Sequence, residues 1–332
     1  MKGIFLGIGV GALGVAALGA VNHIMVKELM KIALDREESK LFSIGKNRIM
    51  RSGDLESVME SISCACEELC HSDCKEVHIQ SRDGITLTGH WRECENAERV
   101  IIAMHGWRST WAQDFGAIAD FWNDNKCSVL YAEQRAHGKS GGEYMGFGLL
   151  ERYDCLDWIN WVNDATCHSL PIYLAGISMG ATTVLMSAGF ELPKNVCGII
   201  ADCAFTSPEE IWRHVVEKNL HLPYALYDRS AFNICKKKIS VGSRDYSSVD
   251  AMKSCTVPVL FIHGTGDNFV PIEMTYKNYQ ACNSKKHLLI VPGAEHGMSY
   301  LVDKSRYEGA VKAFWEEYDS EIVGDEVERV YG

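Results

Sequence analysis

The chain has 332 residues, 47% of them hydrophobic and 23% charged, which is the composition of a folded globular protein and excludes wholesale disorder. Its net charge of -11, with no basic patch along the sequence, argues against binding to a phosphate backbone. The 13 cysteines are an odd number scattered along a long chain, so they do not read as a disulfide framework and fit a reducing environment better.

In chain order, Ile4 to Val26 carries no Lys, Arg, Asp or Glu. About 23 helical residues reach roughly 34 Å, enough to cross a bilayer core. Residues 1–26 are therefore expected to be a transmembrane anchor, making the protein single-pass. Lys27, Lys31, Arg36 and Lys40 outnumber Lys2, which leans the body to the cytoplasmic side. The competing reading is a signal segment, with secretion after cleavage following Gly19. Residues 27–74 read as a helical linker ending in CACEELCHSDC, which contains Cys64, Cys66, Cys70, His71 and Cys74. The spacing is not a standard zinc pattern. A buried helical face or a local disulfide is expected ahead of a metal.

From 75 to 320 strands alternate with helices. Val77, Ile79, Ile85 and Leu87 flank Asp83-Gly84 as a strand pair with a tight turn. Buried strands are read at 99–106, 127–132, 171–175, 196–201, 257–262 and 287–291, and helices at 110–122, 149–162, from 181, and at 306–318. This is an α/β chain with a mostly parallel central sheet covered by helices on both faces, and such sheets carry function at their strand carboxyl ends. Residues 207–246 interrupt the rhythm with Trp212, Tyr224, Tyr227 and Phe232, and read as an apolar helical lid over the site that contributes these four to substrate binding. Residues 321–332 form a C-terminal tail.

Three strand ends carry chemistry. The 171–175 strand runs into Gly176-Ile177-Ser178-Met179-Gly180, a G-x-S-x-G turn that lifts a serine hydroxyl into a cleft. The 257–262 strand runs into Asp267, and the last strand runs into His296. Serine needs a base, and the base needs a carboxylate to fix its tautomer, so Ser178, His296 and Asp267 form a candidate triad in the chain order Ser, Asp, His. The backbone N–H groups of Trp107 and Met179 are the candidate oxyanion hole. His105, Arg135 and His137 are expected to hold loops, and Asp202 is the second choice for the acid.

HGW at 105–107, EQRAHGKSGG at 133–142, GISMGA at 176–181, DCAFTS at 202–207, HGTGDNFVP at 263–271 and GAEHG at 293–297 together resemble the serine hydrolases of the α/β-hydrolase fold. The closest likeness is to bacterial membrane-linked, esterase or lysophospholipase-like members. The resemblance implies that fold, a triad on Ser178, Asp267 and His296, and ester or related acyl substrates. HGW stands where another esterase branch has HGGG, and the cysteine cluster at 64–74 has no counterpart in the family pattern.

The expected activity is hydrolysis of carboxylic esters with a hydrophobic acyl or alcohol group through an acyl-enzyme, with no metal or organic cofactor. Lysophospholipase, monoacylglycerol lipase and thioesterase are the nearest alternatives; a peptidase or a non-catalytic binding module on the same fold stands further off. The expected partners are a small ester or lipid and, through the N-terminal helix, a membrane.

Overall fold

The structure is a computed structural model. It describes residues 24–37 and 53–331, with side-chain surroundings over 24–37 and 60–319. Residues 24–34 form helix α1, and α2 spans Gly53–Cys70. The strands are β1 Lys75–Gln80, β2 Thr86–Arg92, β3 Arg99–Met104, β4 Cys127–Ala132, β5 Ile172–Ile177, β6 Val196–Asp202, β7 Val259–Gly264 and β8 Lys286–Val291. They form one eight-stranded sheet in the order β1-β2-β4-β3-β5-β6-β7-β8. Only the β1–β2 and β2–β4 pairings are antiparallel.

The continuous apolar runs became the middle of this sheet. Every residue of β3, β4, β6 and β7 is buried, as a strand covered on both faces requires. The exposed edge strand β1 alternates instead, and the β1–β2 turn places Gly84 at φ +80°. On one face pack α3 Trp111–Asp124, α10 Ser299–Val302 and α11 Lys304–Tyr331, with Phe115, Ile118, Trp122, Val311 and Phe314 in the core. Thr110 caps α3 by accepting from Gln113 N at 3.1 Å. On the other face pack α4 Glu151–Thr166, α5 Met179–Ser187 and α8 Ser248–Ser254, around Trp158, Val184, Leu185 and Met252. α9 Ile272–Ala281 follows β7 and was not anticipated. The final helix runs on to Tyr331, well past the expected 318.

A third apolar cluster lies outside the sheet. Residues 208–239 form α6 Pro208–His214, a π turn Val215–Asn219, a 3-10 turn Tyr224–Leu226 and α7 Asp228–Ile239. Trp212, Tyr224, Tyr227 and Ile239 of this segment bury against Phe147, Phe205 and Met186. The same cluster takes Val26, Met30 and Leu34 from α1, all almost fully buried.

That packing corrects the reading of the N-terminus. The expected membrane span is overturned: among the described residues no helix is long and apolar enough to cross a membrane. Residues 4–23 of the expected span, and any signal cleavage at Gly19, lie outside the described residues. The end of the span belongs to α1, whose i, i+4, i+8 stripe Val26, Met30, Leu34 is a core-facing stripe. Residues 27–37, the described start of the expected linker, pack against the body. Met145 N donates to Leu34 O at 2.7 Å and Arg36 N to Glu143 O at 2.9 Å, so the chain leaving α1 pairs with the loop at 143–145.

The cysteine segment is also resolved. α2 ends at Cys70, so Cys74 lies beyond the helix. Cys66 and Cys74 pack against the core, whereas Cys64 and Cys70 are exposed. All thirteen cysteines are free thiols, so the expected local disulfide is not formed.

Candidate active site

Ser178 sits between β5 and α5 with φ +56° and ψ -114°, a conformation that costs a residue with a β-carbon free energy. Two glycines make the turn possible. A β-carbon on Gly176 would fall 2.4 Å from Gly180 C, and one on Gly180 would fall 1.7 Å from Met104 O. The bend is further held by Ser178 N, which donates to Asp202 O at 2.9 Å.

The loops after β7 and β8 bring the other two residues to this serine. His296 Nε2 stands 2.9 Å from Ser178 Oγ, and His296 Nδ1 stands 2.7 Å from Asp267 Oδ2. Asp267 is buried, and its other oxygen accepts from Phe269 N at 2.9 Å and Val270 N at 2.8 Å. Burial alone would raise this carboxyl. Hydrogen bonds from His263, His296 and the Val270 N–H outweigh it and hold the group well below the usual carboxylate range. An ionised Asp267 fixes the proton of His296 on Nδ1 and leaves Nε2 free to accept from the serine.

His263 escaped the sequence reading. It is fully buried, with Nε2 2.9 Å from Val270 O and 3.3 Å from Asp267 Oδ2, and Nδ1 2.7 Å from Thr275 Oγ1. Its signal was its place four residues before Asp267 in HGTGD. Cys203, likewise unanticipated, lies with Asp267 and His296 in the one group of side chains, among the described residues, close enough to hold a metal ion. Two of its three members are already committed to the hydrogen-bonded line with Ser178. Burial holds the Cys203 thiol well above its usual range, so it is not a thiolate nucleophile.

Asp202, the second choice for the acid, accepts instead from Ser299 Oγ at 2.9 Å, and burial raises it to about 6. The expected oxyanion donors flank the serine. Met179 opens α5, and Trp107 follows Gly106, where a β-carbon would lie 3.5 Å from Ser178 Cβ. Gly106 N is committed to Asp114 Oδ2 at 2.6 Å, which shapes the turn that presents Trp107.

His105 and the 133–142 loop hold this turn, as expected for them. His105 Nδ1 donates to Gly106 O at 2.8 Å and its Nε2 accepts from Gln134 N at 3.1 Å. His137 Nε2 accepts from Arg108 N at 3.0 Å; burial drops this imidazole to about 3, so it is neutral. Arg135 is buried and grips Asp154 with two nitrogens at 2.6 and 2.5 Å, leaving no guanidinium aimed at a substrate.

A cavity of about 370 Å³ opens at Ser178 and His296. Its walls are mainly apolar: Phe115, Ile118 and Trp122 of α3, Ile200 of β6, Leu301, and Val311 of α11. Trp107 and Phe269 line it on the side of the outer apolar cluster. The four aromatic residues expected to bind substrate do not line it. Trp212 packs edge-on against Phe147 at 5.4 Å, Tyr224 and Tyr227 are buried in the outer cluster, and Phe232 lies under the Arg244 guanidinium at 4.7 Å. Trp212, Tyr224 and Tyr227 share that cluster with Val26, Met30 and Leu34 of α1, so they belong to the interior of the cap. The cavity lies on the other side of Trp107.

Residues 95–254 match a family model described as serine aminopeptidase, S33. An uncharacterized Bacillus subtilis protein is 28% identical over 71% of this chain and 77% of its own length, and an uncharacterized Escherichia coli protein is 24% identical over 67% and 73%. Among solved structures, an esterase of Pyrococcus furiosus is similar with a TM-score of 0.60 and 25% identity, covering 74% of this chain and 91% of its own. A Butyrivibrio proteoclasticus protein solved with bound ferulic acid covers 74% and 99% at a TM-score of 0.53 and 23% identity.

Proposed function

We propose that this protein, a carboxylic ester hydrolase of the α/β-hydrolase fold, works through Ser178, His296 and Asp267 on esters with an apolar acyl group. The observation that carries the reading is the unbroken hydrogen-bonded line Ser178 Oγ, His296 Nε2, His296 Nδ1, Asp267 Oδ2 at 2.9 and 2.7 Å, assembled from three strand ends.

His296 takes the Ser178 proton on Nε2 as Oγ attacks the acyl carbon. The carbonyl oxygen becomes an oxyanion beside the N–H groups of Trp107 and Met179. His296 then protonates the departing alcohol, leaving an acyl-serine. Water attacks this ester in turn, giving its proton to His296, and the carboxylic acid leaves as Ser178 is reprotonated. Asp267 stays ionised throughout and stabilises the imidazolium at each step. The mainly apolar cavity walls support a hydrocarbon acyl group.

The serine aminopeptidase match favours amide bonds as a second reading. An aminopeptidase must bind a substrate ammonium, and both acids lining the cavity already have partners: Asp114 accepts from Gly106 N and Ser109 Oγ, and Asp202 from Ser299 Oγ. Turnover of chromogenic esters against aminoacyl nitroanilides and acyl thioesters, in wild type and Ser178→Ala, tests both readings. Ester turnover that vanishes in the variant supports the proposal. Anilide turnover without ester turnover overturns it.

A further inference from the structure

One residue of the cavity lining comes from a helix ahead of the matched hydrolase segment, which begins at residue 95. Ile62 of α2 is half-buried and lines the cavity. It belongs to a stripe at i, i+3, i+4, i+7, made of Ile62, Ala65, Cys66 and Leu69, that faces the body. Leu69 is buried among Phe115, Ile118 and Trp122, and Cys66 packs on the same core. Contact with α3 is as close as two helices allow. A β-carbon on Gly116 would fall 2.5 Å from the Ala65 carbonyl oxygen. α2 is thereby fixed in depth and register, and Ile62 is fixed with it.

We infer that the cavity receives the acyl chain of the ester, and that Ile62 is the residue that sets how long a chain it accepts. This rests on the ester reading above. The acyl carbon must stand at Ser178 Oγ with its oxygen toward Trp107 and Met179. A hydrocarbon chain extending from it then has an apolar channel between α3 and α11, with Ile62 and Leu301, both half-buried, at the rim. The cap offers no competing route through Trp212, Tyr224 and Tyr227, which are buried in one cluster with Val26, Met30 and Leu34. Asp114 and Asp202 within the lining repel an acyl group that carries its own carboxylate, so the chain is neutral. Each methylene that enters is worth about fourfold in binding, so preference rises with chain length until the channel is full.

The test is a p-nitrophenyl ester series from acetyl to decanoyl with the full chain, its Ile62→Trp and Ile62→Ala variants, and Ser178→Ala. Labelling of Ser178 by ethyl and octyl fluorophosphonates gives a parallel readout. In Ile62→Trp the octanoyl-to-acetyl ratio of kcat/KM is expected to fall at least about tenfold from that of wild type. Ile62→Ala is expected to move the optimum to longer chains, and its half-exposed position keeps it foldable if the tryptophan variant is not. The octyl-to-ethyl labelling ratio follows the same order. An unchanged octanoyl-to-acetyl ratio in a wild-type enzyme with Ser178-dependent turnover and in its Ile62→Ala variant overturns the inference and leaves the ester reading standing. Absence of Ser178-dependent turnover and labelling in wild type overturns the ester reading itself.

Discussion

The indole N–H of Trp107 donates to the carbonyl oxygen of Ala33 at 2.9 Å, so the residue that lines the cavity beside Ser178 is also an anchor for α1. Arg108 next to it donates to Ile32 O at 3.1 and 2.9 Å and to Asp35 O at 2.7 Å, satisfying carbonyls that the end of the helix leaves without intrahelical partners. Trp107→Phe keeps an aromatic side chain but removes the indole N–H and its hydrogen bond to Ala33 O. It is expected to cost about 1 kcal/mol locally and to speed proteolytic cleavage within residues 24–37 severalfold. Limited proteolysis followed by mass spectrometry reads this out. Equal cleavage rates would mean that Trp107 does not anchor α1.

Ser178 holds φ +56° for the sake of its position. Ser178→Ala is expected to lower kcat by about 10⁴- to 10⁶-fold with the same backbone strain. Ser178→Gly is expected to be equally inactive but more stable than Ser178→Ala by about 1 kcal/mol, since glycine accepts this conformation without penalty. Chemical denaturation of the two variants side by side decides it, and a less stable glycine variant would contradict the strain argument.

Asp202 and Asp267 pull stability in opposite directions with pH. Burial raises Asp202 to about 6, above the unfolded value near 3.9. The folded protein keeps this proton after the unfolded chain has lost it, so stability falls as pH rises through about 4 to 6, by on the order of 3 kcal/mol. Asp267 is depressed, so its contribution is present above about pH 4 and lost as the solution is acidified. Asp202→Asn is expected to be more stable than wild type at pH 8 and no more stable at pH 4, as urea midpoints across that range would show.

Arg135 tests the division between holding a loop and binding a substrate. Its guanidinium is buried between Asp154 and Asp83. Arg135→Ala strands a buried carboxylate and is expected to cost about 3 to 5 kcal/mol, and Arg135→Lys less because the two-pronged contact is lost but the charge stays. KM for neutral and anionic esters is expected to change by the same factor in Arg135→Lys. A selective rise for anionic esters would assign Arg135 to substrate instead.

The sheet was legible because β3 to β7 are buried on both faces, and an uninterrupted apolar run is the sequence image of that environment. Ser178, Asp267 and His296 were legible for a related reason: the first two follow such runs and His296 follows the apolar but partly exposed edge strand β8, so the strand order places all three at one edge. Sequence gave no such handle on the cap. Trp212, Tyr224 and Tyr227 are as apolar packed with α1 as they would be facing a ligand, and only the position of α1 tells the two apart; Phe232 lies under Arg244 instead. Likewise the apolar stretch ending at Val26 met the length of a membrane span, while Val26, Met30 and Leu34 carry the spacing of one buried helical face. Ile62 could not be assigned to the cavity because its neighbours on α3 and α11 lie some 50 and 250 residues away.

The cap joins distant parts of the chain. Met25 meets Tyr227 through the tyrosine hydroxyl at 3.7 Å, and Asp35 pairs with Lys238 at 2.5 Å, across separations of 202 and 203 residues. During synthesis α1 therefore emerges long before its partners and must wait for them, with Val26, Met30 and Leu34 uncovered. Closing so long a loop is entropically costly and slow, which makes the cap a late step in folding. In the finished protein it is the first region expected to open. Amide exchange in α1 and α7 should then outpace exchange in β3 to β7, and the two helices should lose protection together, as one cooperative unit built from the beginning and the later part of the chain.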